Sequence, residues 1–288
     1  MRKIFIIAIA TGLQLTGFAQ GKIDRSKQPK PGPAPVIGFK DPVKYTLPNG
    51  ITILVVENHK LPRVSASLSI DRGPVLEGNK AGVIDLMGAM LNEGTTKTPK
   101  DQFDEKVDQM GASVNANAGG GFTSALTRYF DKAFMMMAEA VQSPAFPKES
   151  FDKIVSQKLT GLKSADKNAQ AISGRVVPAL AYGKTSAMGE FETEESIKSL
   201  SLDDIKKAYS TYMSPSRSYL TFIGDITPEA AKALAEKAFG SWKGPKLELM
   251  KIADVQNPAS TEINFVDLPS AVQANISVTN VINNPLSN

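Results

Sequence analysis

Residues 45–54 read Tyr45-Thr46-Leu47-Pro48-Asn49-Gly50-Ile51-Thr52-Ile53-Leu54. Pro48-Asn49-Gly50 is a turn signal, because Asn-Gly takes up the positive φ angles of a hairpin tip at little cost. The β-rich run Ile51 to Val56 leaves that turn. Beyond it Val64, Ala66, Leu68 and Ile70 alternate with Ser65, Ser67 and Ser69. A period of two predicts a strand with one apolar and one hydroxyl face.

Helical signals follow. Ala81 to Leu91 is apolar all round and reads as a buried helix. Thr98-Pro99 opens another, with Thr98 as N-cap and Pro99 at the first position, followed by Phe103, Val107 and Met110 at helical spacing. Ala112 to Ala118 and Phe122 to Tyr129 read as strands around Gly119-Gly120-Gly121, a turn needing positive φ. Asp131 to Gln142 is a helix whose Phe134, Met135, Met136 and Met137 read as packed core. Pro147 to Asp166 is a long helix carrying Phe151, Ile154, Val155, Leu159 and Leu162. Ser201-Leu202-Asp203-Asp204 resembles a capping box ahead of a helix to Met213. Tyr219 to Ile223 reads as a strand, and Thr227-Pro228-Glu229 opens a helix ending near Phe239-Gly240.

The chain has 288 residues, 42% hydrophobic and 22% charged, which is ordinary globular chemistry. Cysteine is absent, so no disulfide, thiolate nucleophile or cysteine metal site exists. His59 is the one histidine, so no zinc site with two histidine ligands can be built from this chain alone. It lies in the polar stretch Glu57-Asn58-His59-Lys60 and reads as an exposed loop residue. A net charge of +4 is mild, and Lys97, Lys100, Lys106 and Lys132 read as solvated faces, so no nucleic-acid partner is expected.

Arg2 and Lys3, the apolar run Ile4 to Leu15 and the small residues Gly17 and Ala19 have the form of a secretory signal peptide cut after Ala19. The expectation is residues 1–19 as signal and an exported, periplasmic or extracellular protein with no stable membrane anchor. Residues 20–39, rich in proline, read as a tether. Pro245 to Ser260 reads as a linker, and Ile263 to Val266 and Ala274 to Val278 as strands. Leu268-Pro269 ahead of Ala274–Val278 echoes Leu61-Pro62 ahead of Ala66–Ile70. Residues 246–288 are therefore read as a linker and the opening strands of an incomplete second domain of the same kind.

In this order, the pieces resemble the pitrilysin/insulinase zinc peptidases, including the mitochondrial processing peptidases. The residues that carry the resemblance are Tyr45 to Leu54, Leu61-Pro62, Gly94-Thr95, Met110-Gly111-Ala112 with Asn115-Ala116, and Pro144-Ala145-Phe146. Asp203 to Tyr212 and Gly224-Asp225-Ile226-Thr227 extend it, so that it covers about residues 40–245. The resemblance implies an α+β fold. It would be a two-layer α/β sandwich of the processing-peptidase type, with a mixed, mainly antiparallel sheet covered by helices.

Active members of that family carry H-x-x-E-H on the first helix, where two histidines one turn apart hold zinc and the glutamate takes a proton from the bound water. Counted back from Gly94-Thr95, those positions fall on Asp85, Gly88 and Ala89. Both histidines and the base are missing. The family's third ligand, a glutamate on the later long helix, falls near Gly161, with Ile154 at the supporting position. No metal or catalytic residue is therefore expected, and no cofactor; zinc is expected only in a partner subunit. Asn115-Ala116 matches the edge-strand pair that lies beside the substrate backbone in active members and is the candidate substrate-binding element. The resemblance implies an inactive homologue of a zinc metalloendopeptidase that binds unfolded peptides and pairs with an active zinc-bearing homologue. The alternative is a free-standing peptide-binding or scaffold protein without a protease partner.

Overall fold

The computed structural model describes Gly32 and residues 41–250 and 254–282. The signal segment 1–19 and, Gly32 apart, the tether 20–39 lie outside the described residues.

Six strands form one sheet: β1 (Val43–Thr46), β2 (Thr52–Glu57), β3 (Arg63–Ile70), β4 (Ser113–Asn117), β5 (Gly120–Leu126) and β6 (Ser218–Gly224). Their order is β1-β2-β6-β3-β5-β4. Only β2 and β6 run parallel; every other pair is antiparallel. The Pro48-Asn49-Gly50 turn joins β1 to β2, with Gly50 at φ 99°. The Asn49 side-chain amide donates to the Phe239 carbonyl at 2.7 Å, which fixes the turn to the end of the last helix.

Eight helices accompany the sheet among the described residues: α1 (Val83–Met90), α2 (Lys100–Gln109), α3 (Thr127–Gln142), α4 (Lys148–Ala165), α5 (Ala169–Tyr182), α6 (Glu194–Lys198), α7 (Leu202–Tyr212) and α8 (Pro228–Phe239). α3 lies across β3, β4 and β5, α8 lies on β2, and α1 runs beside β4. α4 and α7 pack on α1 from outside. The predicted two-layer arrangement with a mixed, mainly antiparallel sheet is the arrangement found.

The alternation in β3 decides which sheet face is covered. Val64, Ala66, Leu68 and Ile70 are buried under the helices, while Ser67 and Ser69 face solvent. In-register neighbours share a face, so Phe122 and Thr221 lie beside Ser67 on the open side. Phe122, Tyr219 and Ile223 there are 42%, 45% and 49% exposed. On the covered side Phe134 of α3 meets Phe130, Phe222 and Phe239 with ring centroids 5.8, 5.1 and 5.8 Å apart. That aromatic knot joins α3, β6 and α8. Phe134 and Met137 are core, as expected; Met135 and Met136 pack at its margin.

The predicted capping box forms in full. The Ser201 side chain accepts from the Asp204 amide, and the Asp204 carboxylate accepts from the Ser201 amide. Thr227 caps α8 through the Ala230 amide, with Pro228 at its first position.

Several expectations are corrected. The predicted strand Phe122 to Tyr129 stops at Leu126, because its partner β3 begins at Arg63 and offers nothing beyond the Arg63–Leu126 pair. The chain turns there and α3 starts at Thr127, a turn earlier than Asp131. Gly120 and Gly121 lie inside β5 rather than in a turn. Gly120 has φ 135°, and a Cβ there would stand 2.1 Å from the Leu68 carbonyl oxygen. Glycine is thus required by the close approach of β3. Pro99, not Thr98, is the N-cap of α2; Thr95 Oγ1 accepts the Thr98 amide instead. α5 has no counterpart in the sequence reading; its residues are mostly half-buried, and it carries Pro178 inside.

Ile263–Val266 and Ala274–Val278 form no strand, and residues 254–282 contain none among the described residues. Their alternating side chains stay open to solvent, with Ile263 at 93% and Val278 at 99% exposed. A strand needs a ladder to satisfy its peptide groups, and among the described residues no ladder partner reaches these segments.

Candidate functional site

α1 starts in a dense set of main-chain contacts. The Glu77 carboxylate accepts the amides of Gly82 at 2.8 Å and Ile84 at 3.1 Å, filling the donors a helix start leaves open. Burial pushes the Glu77 carboxyl up from its usual range, and those amide bonds pull against the shift. Glu190 in turn accepts the amides of Glu77 and Gly78 at 2.6 and 2.8 Å. The loop ahead of α1 is thereby fastened to the segment ahead of α6.

Asp85 and Ala89 lie one turn apart and are exposed on one face of α1, correcting the expectation of a helix buried all round. Gly88 is buried against the end of the edge strand. A Cβ at position 88 would stand 2.7 Å from the Ala118 amide nitrogen and 3.1 Å from its Cβ. The turn just after β4 therefore occupies the place where a side chain would leave the helix. A glutamate does not fit there without moving the strand.

Gly161 is exposed on α4, with open space around it. Ile154, Lys158 and Gly161 share one stripe of that helix by their i, i+4, i+7 spacing. Lys158 joins this stripe to α1: its ammonium donates to Asp85 Oδ2 at 2.6 Å and pairs with Glu192 Oε2 at 2.7 Å. Burial opposes the charge, yet the two carboxylates outweigh it and hold the Lys158 pKa above its ordinary value. The Lys158 ammonium thus links α1, α4 and the segment ahead of α6. Asp85 is the more exposed partner, so the solvent screens that bond more than the one to Glu192. The arrangement engages both carboxylates with one ammonium in an ion cluster that is open to solvent on the Asp85 side.

His59 sits at the other end of β3, which at ~3.3 Å per residue is roughly 20 Å or more from α1. Its Nδ1 lies 2.6 Å from Asp225 Oδ1 and its Nε2 lies 2.8 Å from Glu57 Oε1. Thr127 Oγ1 donates to the other Asp225 oxygen at 2.7 Å. The two ring nitrogens point to different partners and do not converge on a common centre. No group of three or more histidine, cysteine, aspartate or glutamate residues suited to a metal occurs among the described residues.

The hydrogen bonds to Asp225 and Glu57 raise the His59 pKa above 6.5, and the imidazolium and Thr127 hold Asp225 below its usual value. A raised histidine pKa stabilises the fold fully below the unfolded value, and the gain is lost as pH rises through the folded value. The expected result is a single imidazole NMR titration with its midpoint above 6.5. His59→Gln should remove that part of the pH dependence of thermal stability. A midpoint at or below 6.5 contradicts the bridged geometry.

Of the expected substrate-contacting pair, Asn115 is exposed on the open sheet face, and Ala116 is buried toward the helices. β4 is an edge strand, paired only with β5. The outward peptide groups of Ala116 are already engaged. The Asn92 side chain donates to the Ala116 carbonyl at 2.6 Å and accepts the Ala116 amide at 2.9 Å. Arg72 donates to the Ala118 carbonyl further along the same edge. The sequence reading did not find Asn92, Lys158, Glu192 or Arg72. Each is a polar residue whose partner lies far along the chain, and no local pattern marks it.

No helix among the described residues is long and apolar enough to cross a membrane. Residues 52–192 match the family described as insulinase, peptidase family M16, and residues 199–283 match the M16 peptidase inactive domain. A non-peptidase homologue, YmxG of Helicobacter pylori, is 24% identical over 182 residues, covering 61% of this chain and 42% of that protein. Subunit 1 of the mitochondrial cytochrome b-c1 complex of Bos taurus is 24% identical over 204 residues, covering 69% of this chain and 42% of that protein. Among solved structures, the M16 inactive domain from Pseudomonas fluorescens aligns with TM-score 0.65 at 23% identity, over 76% of this chain and 54% of that one. The chain thus spans less than half the length of both curated relatives.

Proposed function

The chain belongs to the insulinase-type M16 peptidase family as a catalytically inactive member, and from that premise we propose that it is a peptide-holding subunit paired with an active zinc-bearing homologue. The observation that carries this reading is the site on α1. The fold sets a helix beside an edge strand, and Asp85 and Ala89 stand where the resemblance places the two histidines. The buried Gly88 leaves no room for the base. What remains is a scaffold with a sheet edge and a solvent-open sheet face. Such a scaffold contributes binding energy to a reaction whose bond-making groups sit in another chain. Relatives that are themselves a non-peptidase homologue and a subunit of a larger complex support a role in an assembly.

Two further parts belong to the proposal. Residues 1–19 direct export, which places the pairing in a periplasmic or extracellular space. Residues 246–288 lead into a second domain of the same kind, whose sheet would give the segments around Ile263 and Ile276 their ladder.

The test is native mass spectrometry of the tagged chain isolated gently from its host. The expected result is a fixed-ratio complex with a larger zinc-loaded homologue, whose peptide cleavage disappears with a chelator. A chain that arrives alone and metal-free overturns the partner and leaves the free-standing peptide binder as the better account.

A further inference from the structure

The strongest unassigned feature is the contact between Asn92 and the outer edge of β4. In an antiparallel ladder successive residues turn their peptide groups alternately inward and outward. The outward groups of Ala116 meet the Asn92 side chain at 2.6 and 2.9 Å, one as acceptor and one as donor. A carboxamide carries the same donor and acceptor as a peptide unit. Asn92 therefore stands where the backbone of a neighbouring strand would stand. The next outward groups, two residues back, are those of Val114. A strand added along this edge would use both residues and meets Asn92 at the second.

The loop behind Asn92 is fixed. Gly94 has φ 88°, and its Cβ position lies 2.7 Å from the Lys100 amide nitrogen. The Lys100 ammonium donates to the Asn92 carbonyl at 3.0 Å. The Thr95 amide donates to the Thr98 carbonyl at 2.8 Å. The backbone is held by these other bonds, and the side chain is held by its two bonds to Ala116, so release takes the breaking of those two bonds and a rotation of the Asn92 side chain alone.

We propose that Asn92 is a latch on the edge of β4, occupying the donor and acceptor of Ala116 until an extended peptide backbone displaces it. This rests on the peptide-holding role proposed above and adds its regulation. Peptide affinity is then set by competition between the Asn92 carboxamide and the incoming strand.

The experiment compares the full chain with Asn92→Ala and Asn92→Asp, after melting curves establish which of them fold. Two readouts are taken. Hydrogen exchange at the Ala116 amide reads the latch itself. Fluorescence anisotropy with a labelled extended peptide of alternating threonine and alanine reads strand addition. In Asn92→Ala the amide should exchange roughly tenfold faster and the peptide bind roughly tenfold more tightly, the weight of about one net hydrogen bond. Asn92→Asp keeps the acceptor for the amide and loses the donor. It should hold amide protection near the wild-type rate yet bind the peptide more tightly than the wild type. Wild-type exchange of Ala116 in Asn92→Ala overturns the latch. A freed amide with unchanged measurable affinity overturns it as a gate. A freed amide with no peptide bound by any of the chains overturns the peptide-holding role itself.

Discussion

Gly88→Glu is expected to destabilise the chain by about 3 kcal/mol, read as a fall of about 6–12 °C in the thermal midpoint. The substitution places a glutamate where the resemblance puts the general base. It fails on geometry before chemistry, because the first carbon of the side chain already stands 2.7 Å from the Ala118 amide nitrogen. Either β4 moves away from α1 or α1 tilts, and both motions break packing around Met87 and Met90, which are fully buried. The neighbouring Ala89→His serves as the control. Ala89 is exposed on the same helix, and a surface change there stays within about 0.5 kcal/mol. A Gly88→Glu chain that melts with the wild type would show that α1 and β4 are not locked together. The turn after β4 fills the space a side chain at position 88 would need, and Lys158 ties Asp85 to α4.

The sheet was legible from sequence wherever a single strand carries its own pattern. The Val64–Ile70 alternation gives both the strand and the covered face, since hydrophobic burial acts on every second side chain. The caps at Ser201 and Thr227 were legible for the same reason: donor and acceptor lie three residues apart. Reading failed where the deciding partner is distant. The end of β5 is set by the start of β3, and the glycine at 120 by the Leu68 carbonyl. α5 escaped because its half-buried residues carry little amphipathic contrast. At the site, the assignment of Asp85, Gly88 and Ala89 rests on the resemblance, while their place on one helix was legible from the apolar run around them. Closure of the edge by Asn92 and the Lys158 cluster are long-range, and no periodicity announces them.

The other large effect belongs to the covered face. Phe134→Ala is expected to cost about 3–5 kcal/mol, the range for truncating a fully buried phenylalanine. Phe134 is 0% exposed and touches aromatic partners from its own helix, from β6 and from α8. Its removal leaves a cavity where three elements meet, and none of them can collapse without disturbing the other two. Phe122 provides the contrast, since it lies on the opposite face of the same sheet at 42% exposure. Phe122→Ala should cost about 1 kcal/mol or less, because much of its surface already faces water. Chemical denaturation of both variants reads the difference directly, with an unchanged slope marking a change in stability alone. Comparable losses would mean that something covers the open face in solution. A large gap between the two means that the sheet is anchored from one side only. In that case α3 and β6 hold β3, β5 and β4 in register, so the core built on Phe134 holds the sheet edge in place for any peptide added there.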